Sequence, residues 1–111
     1  MQEPTFLILA ALAGAPMHGY GVIQEVAELS DGRVRLRPGT LYGALDRLVE
    51  QGFVAADREE IVDGRLRRYY RLSDDGAALL AEEAERLANN ARTATLRLRR
   101  HPGTVPGAAR G

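Results

Sequence analysis

The sequence predicts a mainly α domain carrying a small β-hairpin, an α+β class, with one long helix at its C-terminal end. Three observations carry this. Phe6–Leu12 is apolar without interruption, as a helix covered on most sides must be. Two stretches rich in β-formers flank the turn dipeptide Asp63-Gly64. Beyond Ser73, apolar residues recur at alternating spacings of three and four, the period of a helix with one apolar seam. A chain of 111 residues holds one domain, or one domain with an extended arm, since domains typically run to roughly 100–200 residues.

Each element follows from local chemistry. The first helix ends at Gly14 and Pro16. The same run, Phe6–Ala13, is not expected to be a secretory leader, because Met-Gln-Glu precedes it rather than a basic segment, and it is far short of the ~18 apolar residues of a membrane span. A second helix is expected from Met17 or His18, with Tyr20, Val22, Ile23, Val26, Ala27 and Leu29 on apolar faces, closed by Ser30-Asp31-Gly32. Arg33–Arg37 alternates polar and apolar, which predicts a short half-buried strand. Pro38 suits a helix first turn, and Leu41, Ala44, Leu45, Leu48 and Val49 then keep helical spacing as far as Gly52. Phe53–Glu60 and Leu66–Leu72 read as the hairpin strands, with Arg65 at the tip. Ser73 is a good N-cap, and Asp74 and Asp75 complement the start of a helix running to Arg100. The tail from His101, with Pro102, Gly103, Pro106, Gly107 and Gly111, has no core-forming pattern. The expected division is therefore a domain over 1–73, a helix over 74–100 and a tail over 101–111.

Helix, helix, short strand, helix, hairpin, long helix is the order of a winged helix-turn-helix with a C-terminal extension. In that fold the third helix lies in the DNA major groove and the hairpin reaches phosphates or the minor groove. The charges allow it. Fifteen basic residues, all Arg, balance fifteen acids, but unevenly: residues 1–32 carry four acids and no Arg, whereas residues 33–71 carry nine Arg against six acids. A footprint for nucleic acid depends on distribution and not on the total. The absence of Cys removes thiol chemistry and Cys-based zinc sites, and fits a cytoplasmic setting. His18 and His101 stand far apart in sequence, so neither a metal site nor any cofactor is expected. His18 is expected to cap or pack at the start of the second helix. There is no Gly-rich phosphate loop and no nucleophile with a placed base, which argues against an enzyme.

Three stretches sharpen the reading: Ala15-Pro16-Met17-His18-Gly19-Tyr20; Pro38-Gly39-Thr40-Leu41-Tyr42 with Ala44, Leu45, Arg47 and Leu48; and Gly64-Arg65-Leu66-Arg67-Arg68-Tyr69-Tyr70-Arg71-Leu72-Ser73. In this order and spacing, over roughly residues 5–98, they closely resemble the PadR family of bacterial transcriptional regulators. The resemblance implies a dimeric winged-helix repressor that binds operator DNA and, in some members, lets go on binding a phenolic acid or another aromatic compound. The short C-terminal region resembles the small members, which dimerise through one terminal helix. The chain also departs from the family pattern. Arg37 stands where Ser or Asn often precedes Pro-Gly-Thr, Gly43 replaces a common Pro, Asp46 sits where a basic or neutral residue is common, and Gly21 occupies a frequently acidic position.

The expected DNA-facing residues are Arg37, Thr40, Tyr42, Gly43, Asp46 and Arg47 from the third helix, and Arg65, Arg67 and Arg68 from the wing. Tyr42 either donates to a phosphate or packs its ring on the second helix. Asp46 either accepts from a cytosine amino group or turns away from DNA. Wing arginines either meet phosphates or pair with Glu59, Glu60 and Asp63. Tyr20 is expected in the core. Ala77, Leu80, Ala84, Leu87, Ala91, Ala94 and Leu98 form an a/d seam over three heptads, which needs a partner: a second copy, the first helix, or both. Leu9, Leu12, Leu80 and Leu87 either line a space for a small aromatic or hydrophobic effector or simply close it, although the terminal helix has no aromatic residue to stack on such a ligand. The expected function is a sequence-specific DNA-binding regulator with double-stranded operator DNA and a second copy as partners and no membrane association. The rival is a winged helix that docks a partner protein. Binding to duplex DNA that weakens with salt separates the two.

Overall fold

The computed structural model describes residues 1–103, in the order α1 (Glu3–Gly14), β1 (Met17–His18), α2 (Gly19–Leu29), α3 (Pro38–Glu50), β2 (Val54–Val62), β3 (Arg65–Leu72) and α4 (Asp74–Arg100). Of the tail expected at 101–111, residues 104–111 lie outside the described residues. Two compact units divide the chain, Met1–Ala81 and Glu82–Gly111. The second takes in the remainder of α4 and the residues after it, and its described residues are almost all exposed.

The core of the first unit draws on every helix. Ile8, Leu9 and Leu12 of α1 meet Val22 and Val26 of α2 and Leu41, Leu45 and Leu48 of α3, with Val54 and Tyr70 closing it from the sheet. Burying each such aliphatic side chain contributes about 1.5–3 kcal/mol. α1 is apolar all round and is held on several sides, as its composition requires. Leu79 and Leu80 of the first turns of α4 pack on the same core. α2 buries Gly19, Val22 and Val26, and that choice of face leaves Tyr20 61% exposed, so the expectation of a core Tyr20 is corrected.

The sheet has the order β1-β3-β2 and is antiparallel throughout. The strand expected over Arg33–Arg37 does not form. Its place beside β3 is taken by Met17 and His18, which pair with Tyr70 and Tyr69. This also delays α2 to Gly19. The alternation in Arg33–Arg37 is real in burial, Val34 and Leu36 being half-buried against the core, but the segment is held by a local side chain rather than a ladder. Ser30 Oγ donates to the Val26 carbonyl at 2.8 Å and accepts from the Val34 amide at 2.9 Å. Such Ser-to-backbone bonds compete with sheet pairing.

The hairpin turns on Asp63 and Gly64, with φ of 53° and 75°. Positive φ at both central residues is the two-residue turn whose twist matches the strands. Between Ala56 and Glu59, β2 advances three residues while β3 advances two, so one extra residue bulges near Tyr69. A bulge bends its strand and re-aims neighbouring side chains.

Candidate nucleic-acid interface

α3 is amphipathic in the sense the sequence requires: Leu41, Ala44, Leu45 and Leu48 are buried, while Thr40, Tyr42, Asp46 and Arg47 are exposed and Gly43 is half-buried. Its N-terminus begins at Pro38, with Arg37 extended before it and no side chain capping the first amides. Open amides at a helix start are donors for an anion. At about 100° per residue, the positions opposite the buried stripe are Gly39, Gly43, Asp46 and Glu50. Tyr42 lies on one flank and Thr40 with Arg47 on the other. Gly39 and Glu50 lie outside the expected DNA-facing set, and counting helical angles from the buried leucines places them on the same outward line. Two glycines in this position let a helix backbone approach a surface closely.

Tyr42 packs its ring on the second helix while part of the residue stays exposed. Its ring lies against Gly19 at the start of α2, so closely that a Cβ on Gly19 would overlap it, yet the residue is 44% exposed. Asp46 shares a cavity of about 380 Å³ with Ala56, Glu59 and Arg68 of the sheet. Arg47 instead lines a cleft of about 300 Å³ with Thr5 of α1 and Gln51. Asp46 and Arg47 therefore point to different sides.

The wing arginines also differ from one another. Arg68 Nε donates to Glu59 Oε2 at 3.2 Å. Arg71 lies 3.8 Å from Asp57, which also pairs with Arg58 at 3.3 Å. Among the described residues Arg37, Arg47, Arg65 and Arg67 make no ion pair. Pairing with wing carboxylates thus accounts for Arg68 and not for Arg65 or Arg67. Exposed pairs of this kind contribute little and exchange readily for another anion. Ile61 and Leu66 face each other across the ladder near the tip and are 75% and 59% exposed.

Between the wing and the start of α2 lies a groove of about 450 Å³, bounded by His18, Tyr20 and Tyr42 on one side and by Val62, Asp63 and Arg65–Arg68 on the other. The bulge sets Arg58 over the Tyr69 ring, 3.9 Å from its centroid, and Tyr69 donates its hydroxyl hydrogen to Glu60 at 2.7 Å. The His18 ring lies 5.4 Å from the same ring, tilted by 59° to it. Partial burial, and then the positive charge of Arg67, hold its imidazole below the ordinary histidine range, with Glu60 pulling the other way. His18 and Tyr20 were not expected at this face. Their only sequence signal was a polar pair beside a Gly.

The remaining expected positions are placed as follows. Ala77, Ala84, Leu87, Ala91, Ala94 and Leu98 are exposed along α4 and Leu80 is half-buried. Leu9 and Leu12 sit in the core at 0% and 3% exposure. Among the described residues no group of three or more His, Cys, Asp or Glu is arranged to hold a metal ion, and no helix is long and apolar enough to cross a membrane.

Residues 8–82 match the model of the PadR-like family of transcriptional regulators. The transcriptional regulator Rv3488 of Mycobacterium tuberculosis is 40% identical over 85 residues, covering 77% of this chain and 76% of its own. Among solved structures, a PadR family transcription regulator from hypervirulent Clostridium difficile R20291 superposes with a TM-score of 0.69 at 23% identity, over 87% of this chain and 99% of that one. The Bacillus subtilis PadR structure in complex with operator DNA superposes with a TM-score of 0.66 at 21% identity, over 75% of this chain and 47% of that one.

Proposed function

The chain belongs to the PadR-like family of transcriptional regulators, and from that premise we propose that it is a sequence-specific, dimeric repressor that binds operator DNA through α3 and the wing. The observation that carries the proposal is the surface shared by the two elements. α3 presents uncapped amides, two glycines and polar side chains, and the adjoining wing presents Arg65 and Arg67 without ion partners among the described residues. The amides and the Thr40 and Tyr42 hydroxyls donate to phosphates and fix the helix in the major groove. Arg65, Arg67 and Arg68 follow the backbone or enter the minor groove, and Arg68 exchanges Glu59 for phosphate as it does so. Base discrimination falls to Asp46, whose carboxylate accepts from a cytosine amino group.

The dimer in this reading joins the exposed seam of α4, where alanines permit close helix approach, and sets two α3 helices on half-sites about 34–36 Å apart. Release by a small aromatic or hydrophobic effector belongs to the same proposal. Leu9 and Leu12 are enclosed, so a compound reaching them must displace core packing, and titrating phenolic acids into the protein–DNA complex tests whether any does.

Fluorescence anisotropy tests the proposal directly. Labelled duplex from the gene's own upstream region and a scrambled duplex are titrated at two salt concentrations. Tight, salt-sensitive binding that prefers the native duplex is the expected result. No binding at low salt would refute it in favour of a protein-docking winged helix.

A further inference from the structure

We propose that His18 is a phosphate contact in the groove beside the wing, one that engages duplex DNA in its protonated form and thereby ties DNA affinity to pH. The inference rests on the DNA-binding reading above.

The position is built by the sheet. Met17 and His18 pair with β3, His18 opposite Tyr69, which fixes the backbone of a residue that would otherwise sit in an inter-helix loop. The imidazole is held between Tyr69 at 5.4 Å and Tyr20 at 6.5 Å between ring centroids. Ordering it on binding therefore forfeits little side-chain entropy. Gly21 leaves the space: a Cβ there would stand 3.3 Å from His18 Cε1. Among the described residues neither ring nitrogen has a hydrogen-bond partner.

The charges facing His18 come from several elements. Arg67 of β3 opposes its protonation, and Glu60 of β2 favours it. Glu60 is engaged by the Tyr69 hydroxyl and lies 3.8 Å from Arg58. Tyr42 of α3 borders the same groove, with Asp63 and Arg65 at its wing end and Arg68 beside them. Burial and Arg67 hold the imidazole neutral at lower pH than usual in the free protein. A phosphate seated among Arg65, Arg67 and His18 reverses the local field, because a nearby negative charge favours the protonated ring. The complex then holds more protons than its separated parts, so affinity rises as pH falls across that window.

The test follows the His18 Cε1 proton by NMR from about pH 5.5 to pH 8, alone and with a mixed-sequence duplex of roughly 20 base pairs at low salt. Anisotropy with the same duplex is measured for the wild type, His18→Gln and His101→Gln. The expected result is a His18 midpoint raised by about one unit on DNA, and wild-type binding ~10-fold tighter at the acidic end. His101→Gln keeps that slope and His18→Gln loses most of it. A His18 midpoint that the duplex does not move, or a His18→Gln slope equal to the wild type's, overturns the inference while leaving DNA binding intact. A wild type that binds no duplex at any pH overturns both.

Discussion

Replacing Gly76 with alanine should destabilise the protein, against the ordinary trend for a helical glycine. In a helix interior Gly→Ala gains up to about 1 kcal/mol from backbone entropy. Here an added Cβ would collide with the Phe53 carbonyl oxygen and stand 2.8 Å from Leu72 Cδ1 and 2.9 Å from the Phe53 carbonyl carbon. Leu72 can turn aside. The carbonyl cannot, because it accepts the Ser73 amide at 3.1 Å, while the Phe53 amide donates to the Leu48 carbonyl at 2.9 Å. Ser73 Oγ tightens the same corner by donating to the Gly52 carbonyl at 2.6 Å and accepting from the Gly76 amide at 3.0 Å. Overpacking against a fixed neighbour costs about 1–3 kcal/mol. With the upper end offset by the propensity gain, the net loss is about 2 kcal/mol, or a Tm lower by roughly 8–12 °C in a domain of this size. Thermal melts followed by circular dichroism, at one protomer concentration, measure it. Gly39→Ala in α3 is the matched comparison, since nothing lies within 4 Å of a Cβ there, and it should raise the Tm slightly. A Gly76→Ala protein that melts as high as Gly39→Ala would refute the steric argument.

Four further outcomes are expected. Arg65→Ala should weaken binding to all duplexes alike and reduce the slope of log affinity against log salt by about one, as loss of one phosphate contact does; an unchanged slope with altered base preference would contradict the assignment. Leu87→Glu should return the 12.1 kDa monomer in light scattering where the wild type gives twice that mass, and a monomeric wild type at micromolar concentration would sink the dimer. His18, whose folded pKa is lowered from 6.5, lets the unfolded chain take up its proton first. Stability is therefore full above that value and falls as pH drops below it, and His18→Gln should flatten the urea midpoint in that window. Glu3 acts at lower pH, its carboxyl held below 4.5 chiefly by the Arg33 hydrogen bond, so its loss begins only there. Gly19→Ala should swing the Tyr42 ring off α2 rather than unfold the domain, because a side-chain tip can yield; an unchanged Tyr42 ring spectrum would count against that packing.

Much of the architecture was legible because it rests on strong local signals. Eight apolar residues in a row, a leucine stripe at helical spacing and an Asp-Gly turn each admit few conformations. The failures share a cause. The two-residue β1 is too short to carry any period, and its pairing depends on which edge of β3 is open, a property of the assembled sheet. Arg33–Arg37 showed the right alternation for a strand, but alternation reports burial and not hydrogen bonding, and Ser30 answered the backbone need locally. Tyr20 went to the surface because the buried line of α2 runs through Gly19, Val22 and Val26. His18 and Tyr20 border the groove only because the hairpin folds back beside α2, a contact between residues some fifty positions apart that no spacing within either segment discloses.

The outward positions of α3 are two glycines and two carboxylates, with the helix's guanidinium set to one flank. On the proposed reading, such a surface selects by refusal. A carboxylate repels phosphates and the acceptor-rich edge of guanine, so most registers on a random duplex are penalised rather than merely unrewarded. A genome presents on the order of 10⁶–10⁹ competing sites, and a regulator is diluted across them in proportion to its affinity for the wrong ones. Lowering that background frees more copies of the protein for its operator without any new favourable contact. The wing supplies general attraction, and the acids of α3 keep that attraction from being spent everywhere.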